Sequence, residues 1–338
     1  MALYNSQVIY RREFLTTLAG AALLGLRTSH AQSPAKPYRI DIHHHLFPPE
    51  YRTAVGAQAA AFPPWTPTQS IDVMDKGGVE KSMLSLSLPG VWLGDVQQAR
   101  RLARLVNDYG AQTMRDHPGR FGLFAALPLP DIEGSLREIE YAYGTLKAEG
   151  VGLMTSFDNK WLGDASFAPV WEELNRRRAV VYTHPLTPAC CGGLNYGLGP
   201  GAIEWATDTT RTVASLLFSG TAARFPQIRW IFSHGGGTAP FLISRFAREE
   251  QTQKAIDQRL PRGLMYEIRK FYYDTAQANT PGALDALLEM VPSSQVLYGS
   301  DYPYRTFDEV TGGLSAYRRF AAGDLRAIER DNAVRLLA

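Results

Sequence analysis

The chain has 338 residues, of which 45% are hydrophobic and 20% are charged. This length allows one large core or two smaller domains. The formal net charge of +2 provides neither a basic field for nucleic acid nor an acidic tail. We therefore expect no nucleic-acid partner.

Residues 1–31 have the pattern of an export signal. Arg11 and Arg12 precede an apolar run from Leu18 to Leu26, and Ser29-His30-Ala31 forms a small-x-small cleavage site. The paired arginines resemble the twin-arginine signal, and the run is too short to span a bilayer. The alternative is an uncleaved N-terminal anchor.

From this pattern we expect the twin-arginine translocase to deliver a mature chain of residues 32–338 to the periplasm. Loss of the signal removes three arginines and one glutamate, which leaves the mature part without net charge. No later stretch has the length and hydropathy of a membrane span. The two cysteines, Cys190 and Cys191, are adjacent, which excludes a scaffold of disulfides. Two free thiols are expected, with a strained vicinal disulfide as the alternative.

Strand patterns and helix patterns alternate along the rest of the chain. The predicted strands are Arg39–His45, Val79–Leu88, Phe121–Leu127, Gly150–Phe157, Ala179–His184, Ile228–His234, Phe271–Thr275 and Gln295–Asp301. The predicted helices are Ile71–Lys76, Gly94–His117, Ile132–Lys147, Phe167–Arg177, Ile203–Phe225, Thr238–Ala255 and Pro281–Met290, followed by a helical C-terminal part. Residues 46–68 are predicted to form a long loop with one helical turn.

Eight mostly apolar strands that alternate with helices favour a parallel sheet covered by helices. Eight repeats close naturally into an α/β fold of the (β/α)8 TIM-barrel type, predicted here as a single domain over residues 32–338. An open, doubly wound sheet is the alternative. The absence of Gly-x-Gly-x-x-Gly after the first strand weakens it.

The first strand carries the motif around which a metal site can be built. His43 and His45 are two positions apart, so a strand projects both imidazoles to one side and His44 to the other. Two imidazoles on one face can hold one metal ion of the zinc or iron kind. Alone, the pair is also compatible with ordinary polar histidines.

Three later strands also end in residues that can bind a metal. His184 ends the fifth predicted strand, His234 the sixth and Asp301 the eighth. In a (β/α)8 barrel these ends meet at the face that carries the chemistry. Four of the seven histidines lie at such ends, whereas a random scatter would place most on helices or loops. The set therefore predicts a metal site.

The motifs Asp41-Ile42-His43-His44-His45, Thr183-His184-Pro185, Ser233-His234-Gly235-Gly236-Gly237 and Tyr298-Gly299-Ser300-Asp301-Tyr302-Pro303 resemble those of the amidohydrolase superfamily. The resemblance is to the branch that contains aminocarboxymuconate-semialdehyde decarboxylase and aromatic-acid decarboxylases, and it covers the whole mature chain in order. It implies one divalent ion, zinc first and manganese or iron as alternatives, held by His43, His45, His184 and Asp301. It places His234 beside the metal as a catalytic residue.

The resemblance has further implications for metal number, substrate and assembly. The fourth strand has no lysine until Lys160, which disfavours the branches that bridge two metals with a modified lysine. Arg245, eleven residues after His234, matches the position of a substrate-binding arginine that reaches a neighbouring subunit in relatives. A homodimer and a carboxylate substrate are thereby implied; the alternative for Arg245 is a surface position on a helix. A second substrate arginine has no match in residues 65–72.

We interpret the chain as a carboxy-lyase that uses one metal ion to decarboxylate a small aromatic or unsaturated acid. Asp301 and His234 are both candidate proton carriers, and the sequence does not decide between them. Loop aromatic residues would form flat walls for such a substrate or would simply pack on the barrel rim; they are Phe47, Trp92, Phe157, Trp161, Tyr302 and Tyr304. The alternatives are a hydrolase of a lactone, ester or amide at the same site, and an exported binding protein without catalysis.

Overall fold

The computed structural model describes residues 38–188 and 197–338. The predicted export signal, residues 32–37, Cys190 and Cys191 lie outside these ranges. Within them, no helix combines the length and the apolar character that crossing a lipid bilayer requires.

Eight strands form one parallel sheet whose spatial order is the chain order. They are β1 Arg39–His45, β2 Val79–Ser85, β3 Phe121–Ala126, β4 Gly150–Met154, β5 Val180–His184, β6 Arg229–Phe232, β7 Tyr272–Asp274 and β8 Val296–Leu297. Each strand is followed by helical structure that returns the chain to the start of the next, as parallel pairing requires. The predicted (β/α)8 barrel is confirmed.

Hydrogen bonds between the first and last strand segments close the barrel. The Ile42 amide donates to the Tyr298 carbonyl at 2.9 Å, and the Asp301 amide donates to the His43 carbonyl at the same distance. The Asp41 carboxylate accepts from the Ser300 amide at 2.9 Å and from the Ser300 hydroxyl at 2.6 Å. This closure rules out the open sheet that was the alternative.

Helices surround the barrel and also form part of its loops. The α-helices are Pro49–Ala54, Pro67–Lys76, Val96–Asp116, Ile132–Tyr141, Ala168–Arg176, Glu204–Phe218, Thr221–Arg224, Ala239–Thr252, Ile256–Arg259, Leu264–Ile268, Pro281–Met290, Phe307–Ala316, Ala322–Arg326 and Asn332–Leu337. Short 3₁₀ turns occupy Gly56–Ala61, Ala165–Phe167, Pro200–Ala202, His234–Gly236 and Ser293–Gln295, and π turns occupy Ala142–Leu146 and Ala327–Asp331.

Several elements have other bounds than predicted, and three of these differences are described here. The residues after β4 do not extend that strand but form a small hairpin, in which Ser156–Phe157 pairs with Lys160–Trp161. The helix predicted over Ile203–Phe225 is divided at Gly220, whose φ of +81° interrupts helical geometry. The chain leaves β8 after Leu297, so Asp301 lies on the following turn and not on the strand.

The bottom of the barrel is filled with apolar side chains from the strands. They include Ile42, Phe124, Tyr182, Ile231 and Leu297, and the last helix closes them off with Ala333 and Leu336. The ring of Tyr182 lies with its centroid 5.4 Å from that of His43, so the apolar layer reaches the lower edge of the predicted metal site. Water is thereby excluded from that side of the site.

Candidate metal centre and active site

The four predicted ligands lie together where the barrel strands end. His43 and His45 are on β1, His184 ends β5, and Asp301 follows β8. One nitrogen or oxygen of each residue lies within 4.8 Å of the corresponding atoms of the other three, and all four residues are buried. The structure thus brings together residues as far apart in the chain as His45 and Asp301.

The three histidines of this cluster are each oriented by an oxygen on the side away from it. The Nδ1 contacts are His43 to Asp274 Oδ2 at 2.9 Å, His45 to the Ser85 carbonyl at 3.2 Å, and His184 to the Pro185 carbonyl at 3.1 Å. An Nδ1–H group that donates to an oxygen leaves Nε2 as a lone pair. Each Nε2 atom therefore faces the cluster, where its lone pair can bind a metal ion or a proton.

These atoms face one another at distances that call for a cation. Nε2 of His43 lies 3.1 Å from Nε2 of His45, and the latter is 3.1 Å from Oδ1 of Asp301. Buried lone pairs this close repel one another and are costly unless a positive charge lies among them. Three imidazole nitrogens and one carboxylate oxygen are a donor set typical of one zinc or other first-row divalent ion. The residues present therefore fit the implied metal.

The pKa values of the clustered histidines also indicate that the cluster holds a positive charge. Burial lowers the pKa of His184 well below its usual value, and the neighbouring histidines add to this effect. Burial also acts to lower the pKa of His43, but the carboxylates of Asp274 and Asp301 outweigh it and raise this pKa to about 10. In the metal-free protein a proton on His43 thus supplies the positive charge, and an incoming metal ion would displace it.

Asp274 belongs to this site, although the sequence analysis did not single it out. Its Oδ2 contacts His43, and its Oδ1 accepts from the amides of His234 at 2.9 Å and Ala276 at 3.0 Å. One buried carboxylate therefore orients a predicted ligand and fixes the backbone of the predicted proton carrier. The signal was present, because Asp274 ends β7 and the rule applied to the other strand ends also applies there.

His234 lies beside the cluster of four and not within it. Its ring centroid is 5.0 Å from that of His43 and 5.7 Å from that of His184, and its Nε2 is 3.6 Å from Oδ2 of Asp301. The side chain is 9% exposed. This position, next to a predicted ligand and open to solvent on one side, is the one expected of a group that exchanges a proton with a substrate.

A cavity of about 280 Å³ opens next to His234. Gln277 also lines it, together with Trp205, Phe241 and small residues that include Ala206 and Ala283. The walls are thus mostly apolar, and two of the polar lining residues, His234 and Gln277, also contact Asp301. Such a cavity suits a small ligand with one polar end and one apolar end.

The loop aromatic residues divide into two groups. The ring centroids of Phe47 and Tyr304 lie 6.4 and 5.6 Å from that of His45, so these two rings flank the cluster. Trp161 instead donates to Asp208 at 2.8 Å. Tyr302 stacks on Phe307 at 5.7 Å between centroids. The latter two therefore pack against the barrel rim.

The structure does not bring Arg245 to the site of its own chain. This residue is exposed on the helix Ala239–Thr252. Within residues 38–188 and 197–338 it makes no hydrogen bond or ion pair. Phe241, one turn earlier, has 81% of its surface exposed. Any contact of Arg245 with a substrate would therefore have to occur in the site of a neighbouring chain.

His44 takes part in an arrangement that resembles a nucleophilic triad. Its Nε2 lies 3.0 Å from the Ser70 hydroxyl, and its Nδ1 lies 3.2 Å from Oδ2 of Asp41. All three residues are fully buried, so no substrate can reach the hydroxyl. These bonds instead tie the helix Pro67–Lys76 to β1, and the outward direction predicted for His44 is confirmed.

Comparison with known proteins places this chain in a family. The profile described as amidohydrolase matches residues 40–338. A decarboxylase of Penicillium terrestre is 35% identical over 319 residues, which cover 88% of this chain and 94% of the relative. The 6-methylsalicylic acid decarboxylase of Penicillium expansum is 36% identical over 291 residues, which cover 82% and 90%.

A solved structure with the same fold is that of a dihydroxybenzoic acid decarboxylase from Polaromonas. It was determined with bound manganese and the inhibitor 2-nitroresorcinol. The match has a TM-score of 0.78 with 23% sequence identity, and it covers 89% of this chain and 96% of the other. The barrel is thus shared along nearly its whole length.

Proposed function

The chain belongs to the amidohydrolase family, and from this premise we propose that it is a metal-dependent decarboxylase of small aromatic carboxylic acids. The observation that carries the proposal is the buried cluster of three histidines and one aspartate, together with His234, which lies next to Asp301 and also lines a mostly apolar cavity. The similarity of nearly the whole chain to two fungal decarboxylases supports this reaction over the alternatives.

The substrate class that fits best is a benzoic acid with a hydroxyl group next to the carboxyl group. The relative from Penicillium expansum is named for 6-methylsalicylic acid, which has this arrangement. Neighbouring carboxylate and hydroxyl oxygens can both approach one cation, while the ring lies against Phe47 and Tyr304 or enters the apolar cavity. The missing second substrate arginine separates this chain from the aminocarboxymuconate enzyme.

The metal in this proposal is one divalent ion, held by His43, His45, His184 and Asp301. When bound, it supplies positive charge that stabilises the negative charge developing on the substrate as CO₂ departs. Zinc remains our first expectation, because three imidazoles and a carboxylate suit it. Manganese is bound in the structure of the Polaromonas protein, and iron is the third candidate.

The residues of the chain must hold the substrate and supply a proton. The carbon–carboxyl bond breaks, its electron pair stays on the ring carbon, and a proton must be delivered to that carbon. Both oxygens of Asp301 are engaged, Oδ1 by His45 and Oδ2 by Gln277. His234 lines the cavity, and its contacts with Asp301 at 3.6 Å and with Gln277 at 3.5 Å are longer than those that hold Asp301, so we assign the proton delivery to His234.

A panel of acids tests this proposal. Metal-reconstituted protein is incubated with a first group of acids that have a hydroxyl next to the carboxyl group: salicylic, 6-methylsalicylic and 2,6-dihydroxybenzoic acids. The 3- and 4-hydroxybenzoic acids lack this neighbouring hydroxyl and serve as controls. Lactones test for hydrolysis. We expect CO₂ and the corresponding phenol from the first group only, and none with the His184→Ala variant. Hydrolysis of a lactone without CO₂ would establish the hydrolase instead, and no turnover of any compound would favour a binding protein.

Export and assembly complete the proposal. The twin-arginine pattern at residues 1–31 supports transport to the periplasm as a folded, metal-loaded protein. The exposed Phe241 and Arg245 support a homodimer in which Arg245 of each chain reaches the site of the other. Leu198 and Ile203, which are 52% and 47% exposed, add apolar surface of the kind that dimers bury.

A further inference from the structure

The turn after β7 holds a residue in an unfavourable backbone conformation next to the metal cluster. The Ala278 amide donates to the Thr275 carbonyl at 3.1 Å, which makes Gln277 the third residue of a four-residue turn. Its φ is +53°, in the left-handed region. This region favours glycine, because other side chains are strained there. A glutamine at this position therefore requires an explanation.

The side chain of Gln277 provides one. Its Nε2 donates to Oδ2 of Asp301 at 2.5 Å and lies 3.5 Å from Nε2 of His234. Strained positions that persist next to a reactive site are often retained for what they position. We therefore attribute the strained backbone of Gln277 to the contact that its side chain makes with Asp301.

We propose that Gln277 is a positioning residue that fixes the orientation of the Asp301 carboxylate for catalysis. The amide holds Oδ2, so that Oδ1 remains directed at His43 and His45, from which it is 3.2 and 3.1 Å away. Without the amide, the carboxylate is free to rotate or to take up the nearby His234 as a partner. His234 would then no longer be available to deliver a proton to the substrate.

This inference rests on the proposed decarboxylation for its kinetic part, but not for its structural part. The Gln277→Gly variant removes the amide and relieves the backbone, and Gln277→Met removes the amide while keeping length and strain. Ala255→Gly is the matched control, because Ala255 is exposed, has a φ of +57° and has no side chain that reaches the site.

We expect both Gln277 variants to keep their full metal content and KM while kcat falls about 10- to 100-fold, the usual effect of losing one hydrogen bond to a charged group. The melting temperatures of Gln277→Gly and Ala255→Gly should both be at or above that of the wild type. Ala255→Gly should in addition keep the wild-type kcat. With Co²⁺ as the probe, the visible absorption of the bound ion should change in both Gln277 variants and remain unchanged in the control.

The inference is overturned if both Gln277 variants show the wild-type Co²⁺ spectrum and, in an active wild type, the wild-type kcat. It is also overturned if Gln277→Gly melts well below wild type with proportional loss of metal, since Gln277 would then serve stability alone. If the wild type decarboxylates no acid, the proposed function fails, and the Co²⁺ spectra and melting temperatures still decide the role of Gln277.

Discussion

The Nδ1 atom of His43 and the Oδ2 atom of Asp274 lie 2.9 Å apart, and neither side chain has any exposed surface. The contact links β1 to β7 and fixes which nitrogen of His43 faces the cluster. A carboxylate behind a histidine ligand orients the ring and increases its basicity.

Asp274→Asn should therefore weaken metal binding by about 10- to 100-fold, because a neutral amide no longer fixes or polarises the imidazole. Competition with a chromophoric chelator measures the affinity. Asp257→Asn, at an exposed position on the helix Ile256–Arg259, serves as the control and should bind as the wild type does. An unchanged affinity in Asp274→Asn would show that the contact has no part in metal binding.

His184 and His234 should respond differently to removal. His184→Ala should lose metal and activity together, because one of four ligands is gone. His234→Ala should keep its metal and lose roughly 10²- to 10⁴-fold in kcat, the usual contribution of a proton carrier. Elemental analysis and steady-state kinetics measure the two effects. A metal-depleted His234→Ala protein would make His234 a ligand, and a fully active one would leave Asp301 as the proton carrier.

Metal binding should release about one proton per ion at pH 8, because the pKa of His43 is about 10 without metal. Calorimetric titrations in two buffers of different ionisation enthalpy give this number. The remaining ligands contribute little, since His184 has a lowered pKa and is already neutral. A titration without proton release would mean that His43 is neutral in the metal-free protein.

The same ionisation predicts the pH dependence of stability. The folded pKa of His43 lies above its unfolded value of 6.5, so its stabilising contribution is complete below pH 6.5 and is lost as the pH rises through about 10. The melting temperature of metal-free protein should fall over this interval more than that of metal-loaded protein. Metal-free His43→Gln should show a smaller decrease than metal-free wild type; an equal decrease would assign the effect to other groups.

Export should depend on the paired arginines. Replacement of Arg11 and Arg12 by lysine should retain the precursor in the cytoplasm, whereas the unaltered precursor should be cleaved after Ala31 and begin at Gln32. Fractionation and N-terminal sequencing distinguish these products. Normal delivery of the double variant to the periplasm would exclude the twin-arginine route.

Assembly should depend on the exposed face around Phe241. Phe241→Asp should convert the proposed dimer into a monomer, because a carboxylate cannot be buried in an apolar contact without a large cost. Light scattering behind a sizing column gives the mass, and Tyr266→Asp, at another partly exposed aromatic position, is the control. A wild-type protein that is already monomeric would remove the proposed role of Arg245 in a neighbouring site.

Structural elements that are determined by nearby residues in the sequence could be predicted. Contacts between side chains that are distant in the sequence could not. The strand Arg39–His45 and the helix Pro281–Met290 have the predicted bounds, because their patterns and flanking prolines are local signals. Asp301 could be selected by its place after an apolar strand. The role of Gln277 depends on one backbone torsion and one amide position, and neither is encoded in a pattern of residue types.

The hairpin after β4 and the break at Gly220 were missed for a related reason. The predicted strand continued to Phe157, and its residue pattern does not distinguish a chain that goes straight on from one that turns back at Asp158 and Asn159, both of which have positive φ. Tertiary packing decides between these outcomes. Asp274 is different, because the strand-end rule would have found it.

The closure of the barrel between β1 and β8 also determines when during synthesis the site can come into existence. The ribosome makes His43 and His45 early, but Asp301 and the turn that holds it emerge only with the last tenth or so of the chain. Every nascent or truncated product that stops before this point lacks a ligand and the hydrogen bonds that seal the barrel. A chain that stops before Asp301 should therefore be unable to assemble the four-ligand site, even if its earlier strands are already formed.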